Sequence, residues 1–182
     1  MKSNSHSILL LSIGVFGSSV LALAQSATAS NIPTAARVYV PISVTLTNSG
    51  LNFGDVYANL TGGNVVLDPT TDLRTPSGGL VLGTLSAGNS AALKVSGKRN
   101  ATFAITLPAN GTVTLTGPGT AMAVSTFTAA VGSTVLTSPL SSKLPDSASA
   151  NLTFKVGGTL IVGANQTDGD YTGTFAVTVA YN

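Results

Sequence analysis

Cysteine, tryptophan and glutamate are all missing from this 182-residue chain, histidine occurs once, and charged residues make up only 8%. Without cysteine there is no disulfide framework, no thiol nucleophile and no zinc–thiolate site. The one histidine, His6, lies in an apolar leader, so the rest of the chain cannot assemble a Ser-His-Asp or Cys-His site. The six acids are Asp55, Asp68, Asp72, Asp146, Asp168 and Asp170. They leave no Glu-based glycosidase pair, although an Asp pair is formally available. The charge content is far below the usual ~25%, which excludes disorder driven by high net charge. These absences argue against an enzyme and against a cofactor or metal site. What is abundant is hydrophobic residues at 43%, with 20 glycines and 8 prolines.

The N-terminus has the layout of a secretory signal peptide. Lys2 precedes an apolar run from Ile8 to Leu23, diluted by Gly and Ser, and two small-x-small sites follow at Ala22–Ala24 and Ala27–Ala29. The run is too short and too diluted for the ~20 residues that span a bilayer. Cleavage after Ala29 is expected, making residues 1–29 a leader and 30–182 a single domain that is exported to the periplasm and cell surface. No later segment is apolar enough to span. The cations left are Arg37, Arg74, Lys94, Lys98, Arg99, Lys143 and Lys155, against six aspartates. So small an excess provides no footprint for nucleic acid. The Lys94, Lys98 and Arg99 cluster reads as a solvated strand end and turn.

The remaining chain alternates with period two, the signature of half-buried strands. Val38, Val40, Ile42, Val44 and Leu46 form one apolar comb, broken by Pro41. Phe103, Ile105 and Leu107 form another, and Asn110-Gly111 before Val113 and Leu115 signals a hairpin. Leu152, Phe154 and Val156, then Gly157-Gly158, then Leu160 and Val162 suggest a second hairpin. Weaker strands are expected near residues 63–67, 80–85, 91–95 and 122–128, and a loop over 138–149. The last run places Tyr171, Phe175, Val177, Val179 and Tyr181 on one face. Threonine on exposed strand faces explains the low charge. Some ten short strands with frequent turns argue for an antiparallel all-β sandwich.

Weaker motifs carry little chemistry. Ser96-Gly97-Lys98 and Ser142-Lys143 fall in turn-like sequence, where lysine is solvated. Asp168-Gly169-Asp170 offers two carboxylates but lacks the spacing and the bidentate Glu of an EF-hand, and it reads as a tight turn. Asp68, Asp72 and Arg74 suggest a surface ion pair. The five Asn-x-Thr triplets, starting at Asn59, Asn100, Asn110, Asn151 and Asn165, are expected by chance in a Thr-rich chain.

The C-terminus carries a resemblance. Gly169 is fourteenth from the end and Tyr181 is penultimate, with an alternating strand between them. This ending is similar to the C-terminal motif of chaperone–usher pilus subunits. The run from Asp170 to Tyr181 also looks like the close of spore-coat-U-type secreted proteins, and Leu51-Asn52-Phe53-Gly54-Asp55-Val56 resembles the step after their first strand. With Gly157–Gly163, these segments most resemble a Cys-free bacterial secreted domain-of-unknown-function family related to those pilins. The resemblance implies an immunoglobulin-like sandwich completed by a neighbour's N-terminal strand. It also implies a homopolymeric fibre and a periplasmic chaperone and usher as partners. The donor comb would be Val38, Val40, Ile42, Val44 and Leu46, and the C-terminal strand from Gly169 to Tyr181 the second interaction element.

Two other readings compete. One is a self-complete, monomeric surface module with a loop-borne site, for which Tyr39 and Tyr57 are the exposed aromatics. The other is a small outer-membrane barrel, which needs aromatic girdles that the tryptophan-free chain supplies poorly.

Overall fold

The computed structural model describes residues 26–182. Residues 1–25, which hold the apolar run of the expected leader and its first small-x-small site, lie outside the described residues. The chain divides at Arg37. In the first unit, residues 26–37 are exposed and carry no helix or strand.

The second unit, Val38–Asn182, is built from strands. They are β1 (Ser43–Leu46), β2 (Val56–Tyr57), β3 (Gly63–Leu67), β4 (Arg74–Pro76), β5 (Val81–Leu82), β6 (Ala91–Ser96) and β7 (Thr102–Thr106). They continue with β8 (Val113–Leu115), β9 (Met122–Val131), β10 (Thr134–Val135), β11 (Ser141–Lys143), β12 (Asn151–Val162) and β13 (Thr178–Tyr181). All ladders are antiparallel.

The long strand β12 organises an eight-stranded sheet. One edge pairs with β6 over Asn151–Val156 and then with β3 over Gly158–Val162, while the other edge pairs with β9. β1 flanks β6, β4 flanks β3, and β8 and β10 flank β9. A second sheet has the order β11-β7-β13, and β2 pairs with β5. The alternation dictates the packing. Leu93 and Val95 of β6, Phe154 and Val156 of β12, and Phe103 and Ile105 of β7 are buried in one cluster between the two sheets. A second cluster joins Phe53, Val65, Leu67, Val113, Val124 and Leu160. Leu51, Phe127 and Phe175 border both clusters. The fold is therefore all-β, with antiparallel sheets packed as a sandwich.

Several sequence expectations change. Of the Val38–Leu46 comb only residues 43–46 form a strand, in register with β6 from Ser43↔Ser96 to Leu46↔Leu93. Pro41, which has no N–H to give a ladder, stands just before it. Asn110-Gly111 does turn, with Gly111 at φ 74°, but it joins strands in different sheets: β8 pairs with β9, not with β7. Gly157-Gly158 is no hairpin either, because β12 continues through it, with a shift of its register against β9 between Gly157 and Thr159. A Cβ on Gly157 would collide with the Leu67 carbonyl, so the glycine permits a close backbone approach where β12 exchanges β6 for β3. The 138–149 segment is not all loop: β11 pairs with β7 through Ser141↔Ala104. Only the last four residues of the Tyr171–Tyr181 run are strand.

The expected Asp68, Asp72 and Arg74 pairing is also replaced. Arg74 donates to the carbonyls of Phe53 (2.9 Å), Asp55 (3.0 Å) and Gly83 (2.9 Å), fixing the loop that carries Phe53. Gly54 sits at φ 65° in that loop, where an added Cβ would meet the Arg74 guanidinium and the Ser86 carbonyl. Asp72 accepts the Ser90 amide at 2.8 Å, the Ser90 hydroxyl, and the Lys155 ammonium at 2.5 Å. Burial raises the Asp72 pKa, but the hydrogen bonds from Lys155 and Ser90 outweigh it and hold the carboxyl below its usual range. The Thr70 hydroxyl and amide lower Asp68 in the same way.

An acid whose pKa is lower folded than unfolded adds stability above its unfolded pKa, ~3.9 for Asp. That contribution is lost as the pH falls through the folded value. Unfolding free energy measured by urea titration is therefore expected to decline below about pH 4. Asp72→Asn should make that acid limb shallower; an unchanged limb would remove Asp72 from the explanation.

Candidate functional site

The candidate site is a seam where the two sheets end. β1 is the last strand of the large sheet, and β13 is the last strand of the three-stranded one. N-terminal to β13 the chain stays alternating but loses its partners. Thr172 bridges to Thr116, β13 pairs with β7 from Thr178↔Thr106 onward, and residues 173–177 between them belong to no ladder. The reason is local. β7 ends at Thr106 and Pro108 follows, so no strand continues beside 173–177.

This stretch still packs. Phe175, Val177 and Val179 turn inward and are half-buried, while Thr174, Ala176 and Thr178 face solvent. The Phe175 ring lies 5.1 Å from that of Phe127, tilted by 41°. Gly173 lies against the Thr114 carbonyl with no space for a Cβ.

A tyrosine ties down each end of the segment. The Tyr171 hydroxyl accepts the Gly119 amide at 3.0 Å and donates to the Thr167 carbonyl at 2.9 Å. The Tyr181 hydroxyl accepts the Lys98 amide at 2.7 Å and donates to the Val40 carbonyl at 2.9 Å. Gly169, at φ 136°, turns the chain into this segment beside Pro118.

Between the two edges lies a groove of about 320 Å³. Its walls include Leu46, Leu51, Phe53, Val113, Leu115 and Phe175. It opens onto the second core cluster, to which Phe53 and Val113 belong. A stretch of backbone with no ladder partner among the described residues, lying beside an apolar slot, is complementary to an extended, alternately apolar peptide. Among the described residues no group of three or more His, Asp or Glu side chains could hold a metal ion.

The predicted site residues separate into two sets. Phe175, Val177, Val179, Tyr171, Tyr181 and Gly169 lie on one continuous segment along the seam. Leu46, 54% exposed, forms the opposite rim, while Ile42 and Val44 are half-buried against the first cluster. Val38 and Val40 stand apart from these, 90% and 50% exposed and in no strand. Sequence reasoning missed the groove floor. Leu51 and Phe53 were visible only as a motif, and nothing in their spacing indicated that they meet Val113 and Leu115.

The family model described as "Domain of unknown function (DUF4402)" matches residues 42–181. The chain belongs to the DUF4402 family. The match spans every strand of the DUF4402 domain from β1 to β13, together with both rims of the groove. It begins at Ile42, so Val38 and Val40 stand before it. No curated protein and no solved structure matches the chain.

Proposed function

We propose that this DUF4402 protein is an exported, non-enzymatic structural subunit, pilin-like, that polymerises by strand donation into a surface fibre. The observation that carries the reading is the ladder-free stretch 173–177 beside the apolar groove. The occupant is the N-terminal extension of a second copy. Ile32, Val38 and Val40 are exposed in it, at even positions that point to one side of an extended chain. Residues 32–40 match the nine-residue length of 173–181.

Backbone hydrogen bonds to the open edge would supply affinity, and the groove would select the apolar side chains. Each copy gives one segment and receives another, so the contact is head-to-tail and open-ended, which yields filaments. The comb is thereby divided between copies. Its second half, Val44 and Leu46, belongs to the domain's own β1, and its first half reaches the neighbour. An open apolar seam is an aggregation hazard before assembly. A periplasmic chaperone that covers it, with an usher for secretion, fits that need. The reading requires no nucleic acid, cofactor or membrane span.

The test is light scattering after size exclusion on protein purified from cells expressing the full chain, beside a chain starting at Ile42. The full chain is expected to form a ladder of polymers. The shortened chain should stay monomeric and bind a peptide of residues 31–41. A compact, heat-resistant monomer from the full chain that ignores the peptide would refute strand donation and favour the self-complete surface module.

A further inference from the structure

We infer that Pro41 and Tyr181 together commit the N-terminal extension to a neighbouring copy by blocking its return to the seam of its own domain. This rests on the strand-donation reading and adds what directs donation between chains. The extension joins the domain at a point fixed from both sides. On one side the Tyr181 hydroxyl holds the Val40 carbonyl at 2.9 Å. On the other side Ser43 begins the ladder with Ser96. Only Pro41 and Ile42 lie between.

For the extension to fold back along either edge of the seam, the chain must reverse at those two residues. Two-residue hairpin turns between strands are type I′ or II′, and both need positive φ at the first loop position. Proline holds φ near −65° and cannot supply it. Ile42, being β-branched, is unsuited to positive φ as well, and it packs on the first core cluster. A longer reversal would have to begin before Val40. One that takes in Val40 gives up the Tyr181 hydrogen bond, and one placed wholly before Val40 keeps that bond but leaves Val38 in the turn, so in neither case do both valines fill the groove. Donation to another copy needs no reversal. Pro41, which interrupts the comb, is thus what keeps the comb from closing on itself.

Four variants of the full chain test this: Pro41→Gly, Pro41→Ala, Tyr181→Phe and Pro41→Gly/Tyr181→Phe. Glycine at the first loop position allows a II′ turn with Ile42 second, whereas alanine restores the N–H but still resists positive φ. Tyr181→Phe removes the hydroxyl and leaves the ring beside Gly97. The readout is the polymer-to-monomer ratio by light scattering, with capture of the 31–41 peptide.

The double variant is expected to shift at least tenfold toward a monomer that no longer takes up the peptide, Pro41→Gly to shift partway, and Pro41→Ala to polymerise like the parent. Should the double variant fail to fold, as judged by circular dichroism, the Pro41→Gly and Pro41→Ala pair decides. Equal polymerisation of those two, or equal loss of it, overturns the inference while fibre formation by the parent stands. A parent that neither polymerises nor takes up the peptide removes the strand-donation reading and this inference with it.

Discussion

Replacing both Val38 and Val40 with Asp is expected to abolish polymer while leaving the domain folded. Both side chains are exposed within their own copy, at 90% and 50%, so the fold loses little. In a donated strand the same two positions enter an apolar slot. Each valine forfeits ~1.5–3 kcal/mol of burial. Each carboxylate adds a desolvation cost of several kcal/mol, with no cation among the residues lining the groove. The sum exceeds ~6 kcal/mol, or more than about 10⁴-fold in affinity.

The variant retains its own seam, so it can still receive a strand. Mixed with parent chains it should therefore act as a terminator, shortening polymers in proportion to its share. Sedimentation velocity across a mixing series reads this directly. Undiminished polymer in the double variant would mean that assembly uses another surface. A monomer that does not shorten parent chains would mean that the seam is not the receiving site.

How much of this was legible in sequence depended on whether a feature is local. Alternation is local, and it located β3, β6, β7 and β9 to within a few residues. Pairing is not local. The Asn110-Gly111 turn was recognisable, yet no residue near it tells that β8 will join β9 while β7 joins β11 and β13. The same holds for Asp72, whose partners Ser90 and Lys155 are brought to it by β6 and β12. The C-terminal strand was the reverse case. Its inward face was readable from Phe175, Val177 and Val179. What alternation could not convey is that 173–177 joins no ladder among the described residues, because that depends on where β7 stops. The groove was invisible for the same reason: Leu46, Phe53, Val113 and Phe175 come from four separate regions of the chain.

Gly157 and Gly158 make the sharpest test of that distinction, since they are adjacent, alike in sequence and unlike in role. Gly157→Ala should destabilise the domain strongly. Its Cβ would enter the Leu67 carbonyl and lie 2.8 Å from the Pro69 ring, and neither neighbour is a flexible side-chain end. Over-packing against rigid neighbours costs up to ~3 kcal/mol. The strain also falls where β12 passes from β6 to β3, so it weakens the ladders that join the two core clusters. At Gly158 the nearest atom to an added Cβ is the Ser125 carbonyl oxygen at 3.4 Å, an ordinary contact. There alanine restricts the unfolded chain and fits the strand, so Gly158→Ala should be neutral or stabilising by ~0.5 kcal/mol. A hairpin at this dipeptide would impose the opposite pattern, because a I′ turn needs positive φ at both residues and alanine would then be harmful at each. Urea unfolding of the two single variants separates these cases. Equal, large losses would restore the turn, whereas a large loss at 157 alone establishes the close approach of β12 to β3.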